Sequence, residues 1–245
     1  MKNIFSININ RFFAIYMLIS LCASCGEEYQ YFPDIVPAEG TNIKFVHAAS
    51  DTSSIEFKVN GILGSPGYGM SYFYAFPVTN YSKFPSGSLD IVVEDQGTET
   101  IPNTEIVNVA VTSGDTDYYT VALVGVNGNY EAISIKDNIS SIPLNDKSYI
   151  RIVNFMEDSP NGISLELTND LGSNLIASDV LYKTASAFVA VEPGYYSDID
   201  ILDSSNSTLL DGAATSRRTL LPNRVYTFYA RGTFGAAILD RMINR

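Results

Sequence analysis

Three short stretches recur in this 245-residue chain at one fixed spacing, the step that carries position 43 to position 150. Ile43-Lys44-Phe45-Val46-His47 returns as Ile150-Arg151-Ile152-Val153-Asn154, Gly87 as Gly194, and Tyr119-Thr120-Val121 as Tyr226-Thr227-Phe228. Ile55 and Ile163 are one position further apart. Three anchors in a common register point to an internal duplication. The chain must therefore be read as two similar units, each of ordinary domain size at about 100 residues.

Within each unit the hydrophobic period is two. Ile55, Phe57 and Val59 alternate with Glu56 and Lys58, and Asn60-Gly61 follows as a turn able to hold positive φ. Leu89, Ile91 and Val93 alternate with Asp90 and Glu94 after a Pro-Ser-Gly turn, and Val107, Val109 and Val111 lead to Ser113-Gly114-Asp115. Asn127-Gly128 marks a further hairpin. No window of comparable length keeps helical spacing, so the chain is all-β. Many short strands between turn signals predict two antiparallel β-sandwiches in tandem, with one face of each sheet buried and one wet. A single large barrel would not explain the repeat.

The first residues carry a different message. Lys2 and Arg11, with no acid before them, precede an apolar run from Phe12 to Leu21 that is too short to cross a bilayer, which takes roughly 20 residues. This is the pattern of a secretory signal peptide. Ala23 and Ser24 stand just before Cys25, so the junction resembles the lipobox of bacterial lipoproteins, in which the cysteine becomes the lipidated first residue. Cys22 departs from the leucine usual at that place. The expected organisation is a cleaved signal peptide at 1–24, a tether at 25–41, a first sandwich at 42–137, a linker at 138–148 and a second sandwich at 149–245.

Loss of residues 1–24 removes two basic residues and no acid, taking the net charge from -12 to -14. Such a surface repels phosphate backbones, so nucleic acid is excluded as a partner. Both cysteines lie at the signal junction, which leaves no disulfide for the mature chain and makes apolar burial its source of stability.

Several of these residues carry a family resemblance. The first strand with Val46-His47-Ala48-Ala49-Ser50-Asp51, the strand ending in Val59-Asn60-Gly61, the turn into Leu89 to Val93, and Gly114 before Tyr119-Thr120-Val121-Ala122-Leu123 resemble the bacterial "domain of unknown function 4397". Two copies would cover nearly all of residues 42–240. The second copy departs from the pattern, with Asn154-Phe155 where the family shows His-Ala. The resemblance implies immunoglobulin-like sandwiches on a cell-surface, lipid-anchored protein, often of Bacteroidota, and it implies no established activity. Gly26 and Glu27-Glu28 resemble signals that direct such lipoproteins to the outer membrane and the cell exterior.

Candidate sites are few. His47, Ser50 and Asp51 contain the residue types of a nucleophilic triad, but groups this close on one strand end point apart, so catalysis is not expected. The mature chain lacks the His and Cys clusters that transition metals favour. Asp115/Asp117 and Asp198/Asp200/Asp203 could offer oxygens to calcium, but alternation puts Asp198 and Asp200 on a solvent face, so no metal or other cofactor is expected. Asn138 and Asn206 match glycosylation acceptors only by chance in a bacterial lipoprotein. The segment from Gly61 to Tyr81 is the richest in glycine and aromatics. Its simplest reading is a crossing between sheets that fills the core. Its alternative is an exposed platform built from Tyr68, Tyr72 and Tyr74, since tyrosine offers broad contact area with a polar tip. The expected protein is thus a non-catalytic lipoprotein, held at the membrane through Cys25. It serves as a binding or adhesion module for a glycan or protein partner, or alternatively as an accessory subunit of an outer-membrane complex.

Overall fold

The computed structural model describes residues 39–97, 102–159 and 161–245. Its first half contains β1 (Thr41–His47), β2 (Ile55–Val59), β3 (Ile62–Leu63), β4 (Ala75–Phe76), β5 (Ser82–Phe84), β6 (Gly87–Asp95), β7 (Thr104–Ser113), β8 (Tyr118–Val124) and β9 (Glu131–Lys136). The second half contains β10 (Ser148–Asn154), β11 (Ile163–Asn169), β12 (Gly172–Val180), β13 (Val189–Val191), β14 (Gly194–Tyr195), β15 (Asp198–Asp203), β16 (Leu209–Gly212), β17 (Thr219–Leu220), β18 (Val225–Thr233) and β19 (Ala236–Ile243). There is no α-helix among the described residues; the one helical turn is 3-10, at Thr215–Arg217.

Each half is built on a pair of sheets around its own core, and the second half adds a two-stranded ribbon of β14 and β17. In the first half, β4-β1-β8-β9, with β5 also on β1, faces β3-β2-β6-β7. Ile43, Phe45, Val121 and Leu123 from one sheet meet Phe57, Val59, Leu89, Ile91 and Val93 from the other, as their alternation requires. The rings of Phe45 and Phe57 lie 4.9 Å apart, a contact worth roughly 0.5–1.5 kcal/mol beyond area burial. In the second half, β13-β10-β18-β19 faces β12-β11-β15-β16, with Ile150, Ile152, Leu165, Ile199, Ile201 and Phe228 between them. Asn60-Gly61 forms the expected two-residue hairpin turn, both residues at positive φ, between β2 and β3.

The sheets are not wholly antiparallel. The first strand of each half runs parallel to the penultimate one, β1 with β8 and β10 with β18. The register runs from Asn42↔Tyr118 to His47↔Leu123 in one half and from Tyr149↔Val225 to Asn154↔Ala230 in the other, so every partner is displaced by the spacing of the sequence repeat. Long connections separate these strands in sequence, which is what a parallel pair needs.

The same displacement governs the loop that follows. Gly125 (φ +103°) directly follows β8 and Gly232 (φ +88°) is the last residue but one of β18, and each leads into the hairpin turn. A Cβ on Gly125 would press into the Asn129 carbonyl, and on Gly232 into that of Ala236. Gly125→Ala is expected to cost about 1–3 kcal/mol through strain at positive φ alone, measured as a lower urea midpoint with unchanged slope.

One expectation fails in an instructive way. Alternation predicted one wet face per sheet, yet along β1 and β8, and along β10 and β18, both faces are buried: Lys44 and Thr120 are as inaccessible as their core-facing neighbours, and so are Arg151 and Thr227. The polar faces of β4-β1-β8-β9 and β13-β10-β18-β19 cover one another. Val46, Ala122 and Val124 of the first half pack with Val153, Phe155, Tyr229 and Met242 of the second. The segment after β9 joins this junction, with Ile139 and Ile142 packed on Val225.

Candidate functional site

The covered faces bring together four pairs of residues that the repeat makes equivalent: Lys44 and Arg151, Thr120 and Thr227, Tyr81 and Phe188, Asp137 and Asn244. Each cation lies over the aromatic ring of its own half, Lys44 Nζ at 5.3 Å from the Tyr81 centroid and the Arg151 guanidinium at 4.6 Å from that of Phe188. Arg151 crosses the junction to pair with Asp137 and donates through Nε to Thr227 Oγ1 at 2.9 Å. Asp137 also accepts from Thr120 Oγ1 (2.8 Å) and from the Tyr81 hydroxyl (2.7 Å), while Asn244 Nδ2 donates to that same hydroxyl.

Burial sets the charges here. It holds Lys44 at a pKa of about 7, with the opposing pull of Asp137 insufficient to restore the ordinary value, and Nζ donates to the Pro77 carbonyl at 2.6 Å. Burial, reinforced by Asp137, pushes the Tyr81 hydroxyl upward and keeps it a donor. Asp137 thus holds one full ion pair and two hydroxyl hydrogen bonds inside the protein.

Beside this network the junction opens into a groove of about 760 Å³. The edge strand β9, through Ser134 and Lys136, forms one wall, and residues 183–188 form the other. Tyr149, Arg151 and Ile142 also line it. Lys136 is paired with Asp117 at 2.8 Å and Lys183 with Glu131, so the walls carry little net charge despite their lysines. Half-buried rings of Tyr149 and Phe188 beside hydroxyls of Ser134 and Ser186 suit a polar chain with some apolar surface.

The three tyrosines singled out in the sequence occupy three different environments. Tyr68 is 69% exposed. Tyr74 packs on the first core. Tyr72 is half-buried: its ring meets that of His47 edge-on at 6.1 Å, and the Arg231 guanidinium of the second half sits 4.7 Å above it. Tyr229 fastens the same loop by donating to the Phe73 carbonyl at 3.0 Å. The segment is therefore part of the junction as well as of the crossing between sheets. Tyr149 and Phe188 escaped the sequence reading, although the spacing of Phe188 from Tyr81 was a usable signal.

His47 does not meet a nucleophile and an acid. Its Nε2 lies 3.1 Å from the Ser53 carbonyl and 3.0 Å from Thr52 Oγ1, and the Asp51 carboxylate accepts instead from the backbone of Asn127. Asp158, its counterpart in the second half, accepts equivalently from Phe234 N at 2.8 Å. Asp198 pairs with Arg218 at 3.0 Å, and Asp203 accepts from Ser205 in its own turn. Among the described residues no three His, Cys, Asp or Glu side chains converge as a metal set. Cys25, with the signal peptide and most of the tether, lies outside the described residues.

Residues 41–162 match the family model described as Domain of unknown function (DUF4397), a span that takes in the first half and the opening strand of the second. The search of curated proteins gave no match. Solved structures with partial similarity include the C-terminal domain of AlgF from P. aeruginosa (18% identity, 41% of this chain and 100% of that one, TM-score 0.29). A family CBM26 module of Eubacterium rectale Amy13K, crystallised with maltoheptaose, gives 10% identity over 82% and 95% of the two chains, TM-score 0.25. A candidate cell adhesion protein from Bacteroides uniformis gives 10% identity over 83% and 97%, TM-score 0.27. At these TM-scores the likeness carries no functional argument.

Proposed function

We propose that this protein is a lipid-anchored, non-catalytic binding module of the outer membrane, built from two copies of the matched domain and exposed at the cell surface. The observation that carries the binding role is the groove of about 760 Å³ between the halves, where the junction leaves aromatic and hydroxyl groups accessible together. The equal registers of β1–β8 and β10–β18 support the second copy. Anchoring rests on Cys25 and the residues around it. Tyr68 offers an additional exposed contact, whereas Tyr72 and Tyr74 would contribute only through the loop they stabilise.

The anchoring test compares wild type with Cys25→Ala in cells fed labelled palmitate. Wild type is expected to take up label and to be shaved from intact cells by external protease, and Cys25→Ala to lose both label and membrane retention. A Cys25→Ala protein that still sediments with membranes, or an unlabelled wild type, would refute the anchor.

A second reading, an accessory subunit of an outer-membrane complex, is favoured by one observation. Leu171 (94% exposed), in the turn before the edge strand β12, and Leu175 (59%), on β12 itself, line a recess with Ile176 and Tyr196. A stoichiometric barrel protein copurifying from solubilised membranes would select this reading over a free adhesin.

A further inference from the structure

The junction has two equivalent flanks, and only one of them is closed. Thr79 forms a parallel β-bridge with Ile243 on the edge strand β19. The repeat spacing, taken forwards from Thr79 and backwards from Ile243, leads to Ser186 and Lys136, and these two residues line opposite walls of the groove. What is a strand-to-strand contact on one side is thus an open slot on the other.

The slot presents strand edges that no other strand fills among the described residues. Asp137 N donates to the Tyr118 carbonyl across the β8–β9 ladder, so backbone groups of the alternate residues, Lys136 and Ser134, point away from β8. On the opposite wall Ser186 N donates to Ile152 O and Thr184 O accepts from Asn154 N. Ala185 between them therefore turns its backbone groups away from β10. An exposed edge of this kind is a template for a further strand.

We infer that the groove takes an extended polypeptide segment, which adds to β9 as a strand and makes on this flank the pairing that Thr79 and Ile243 make on the other. The inference rests on the groove being the ligand site, and it names the ligand class. Three observations favour polypeptide over glycan. The site continues an interface whose equivalent flank is already closed by main-chain pairing. The lysines that could grip an acidic sugar are engaged by Asp117 and Glu131. The outward groups of Ser134 and Lys136 repeat at the two-residue spacing of a strand.

The test is hydrogen–deuterium exchange on the full chain with three probes: a synthetic peptide of residues 76–83, the segment that contains Thr79, and cellohexaose and xylohexaose. Saturating peptide is expected to slow exchange at Ser134 and Lys136 at least tenfold, and the sugars to have no effect there. Ser134→Pro removes one outward N–H without touching the β8 ladder, and Ala187→Trp fills the groove from an exposed position. Both variants should keep the wild-type unfolding midpoint and lose the protection. Protection that survives Ser134→Pro, or that maps elsewhere, overturns the strand inference. Protection by a sugar alone, abolished in Ala187→Trp, overturns it while leaving the groove as the ligand site. No protection from any probe overturns both.

Discussion

Asp137→Ala protein is expected to be about 3–5 kcal/mol less stable than wild type, the cost of leaving a buried cation without its partner. The side chains of Arg151 and Asp137 are 3% and 0% exposed, so solvent cannot replace the lost carboxylate. The Thr120 and Tyr81 hydroxyls lose their acceptor in the same step. Against a typical total stability of roughly 5–15 kcal/mol this is a large fraction. The double variant Asp137→Leu with Arg151→Met should recover most of the loss, because removing both charges also removes the desolvation they demand. Denaturant unfolding measures both, and a loss below about 1 kcal/mol for Asp137→Ala would show that the ion pair is not enclosed as described.

The second large effect is acid sensitivity arising from the chain's one histidine. Burial holds His47 at a pKa of about 4, below its ordinary 6.5, with the Ser53 carbonyl only partly opposing this. The folded chain therefore keeps the ring neutral at pH values where the unfolded chain takes up a proton. The stability linked to this ring is fully present above about pH 6.5 and is lost as pH falls from 6.5 towards 4. At about 1.4 kcal/mol per unit the loss is on the order of 3 kcal/mol. The ring faces Thr52, Ser53 and Tyr72, and its Nδ1 has no hydrogen-bond partner among the described residues, so a proton added there gains no acceptor. His47→Asn introduces the residue found at the equivalent place in the second half. Asn154 serves there without titrating, donating to Ser159 Oγ and Val180 O and accepting from Met156 N. Subtracting the variant's stability from the wild type's at each pH should isolate a one-proton slope between pH 6.5 and 4. Equal slopes in the two proteins would contradict the buried, neutral ring.

Much of the fold could be read from residue order because the strands obey a local rule. Leu89, Ile91 and Val93 are buried, and Asp90 between them is exposed, as alternation alone requires. Asn60-Gly61 likewise carries its turn in two residues. The junction was not legible in the same way, since Lys44, Thr120, Arg151 and Thr227 look like solvent-facing residues and their burial depends on a second sheet far away in the sequence. The repeat held the missing information. Two polar faces related by one displacement, with a cation, a threonine, an aromatic ring and an Asp or Asn in matching places, can satisfy each other. The aromatic segment shows the complementary limit. Composition identified Tyr68, Tyr72 and Tyr74, but only the path of the chain decides that Tyr72 lies under Arg231 while Tyr68, hydrogen-bonded to Tyr74, stays exposed.

Under the anchoring proposed above, the parallel pairing of β1 has a mechanical consequence. Tension arriving at Thr41 acts along β1, and the six pairs from Asn42↔Tyr118 to His47↔Leu123 lie side by side in that direction. They are loaded in shear, all at once, instead of being peeled one by one. A ligand held in the groove would transmit its pull through the same ladder and through the interlocked faces, so resistance to drag is built into the strand order itself.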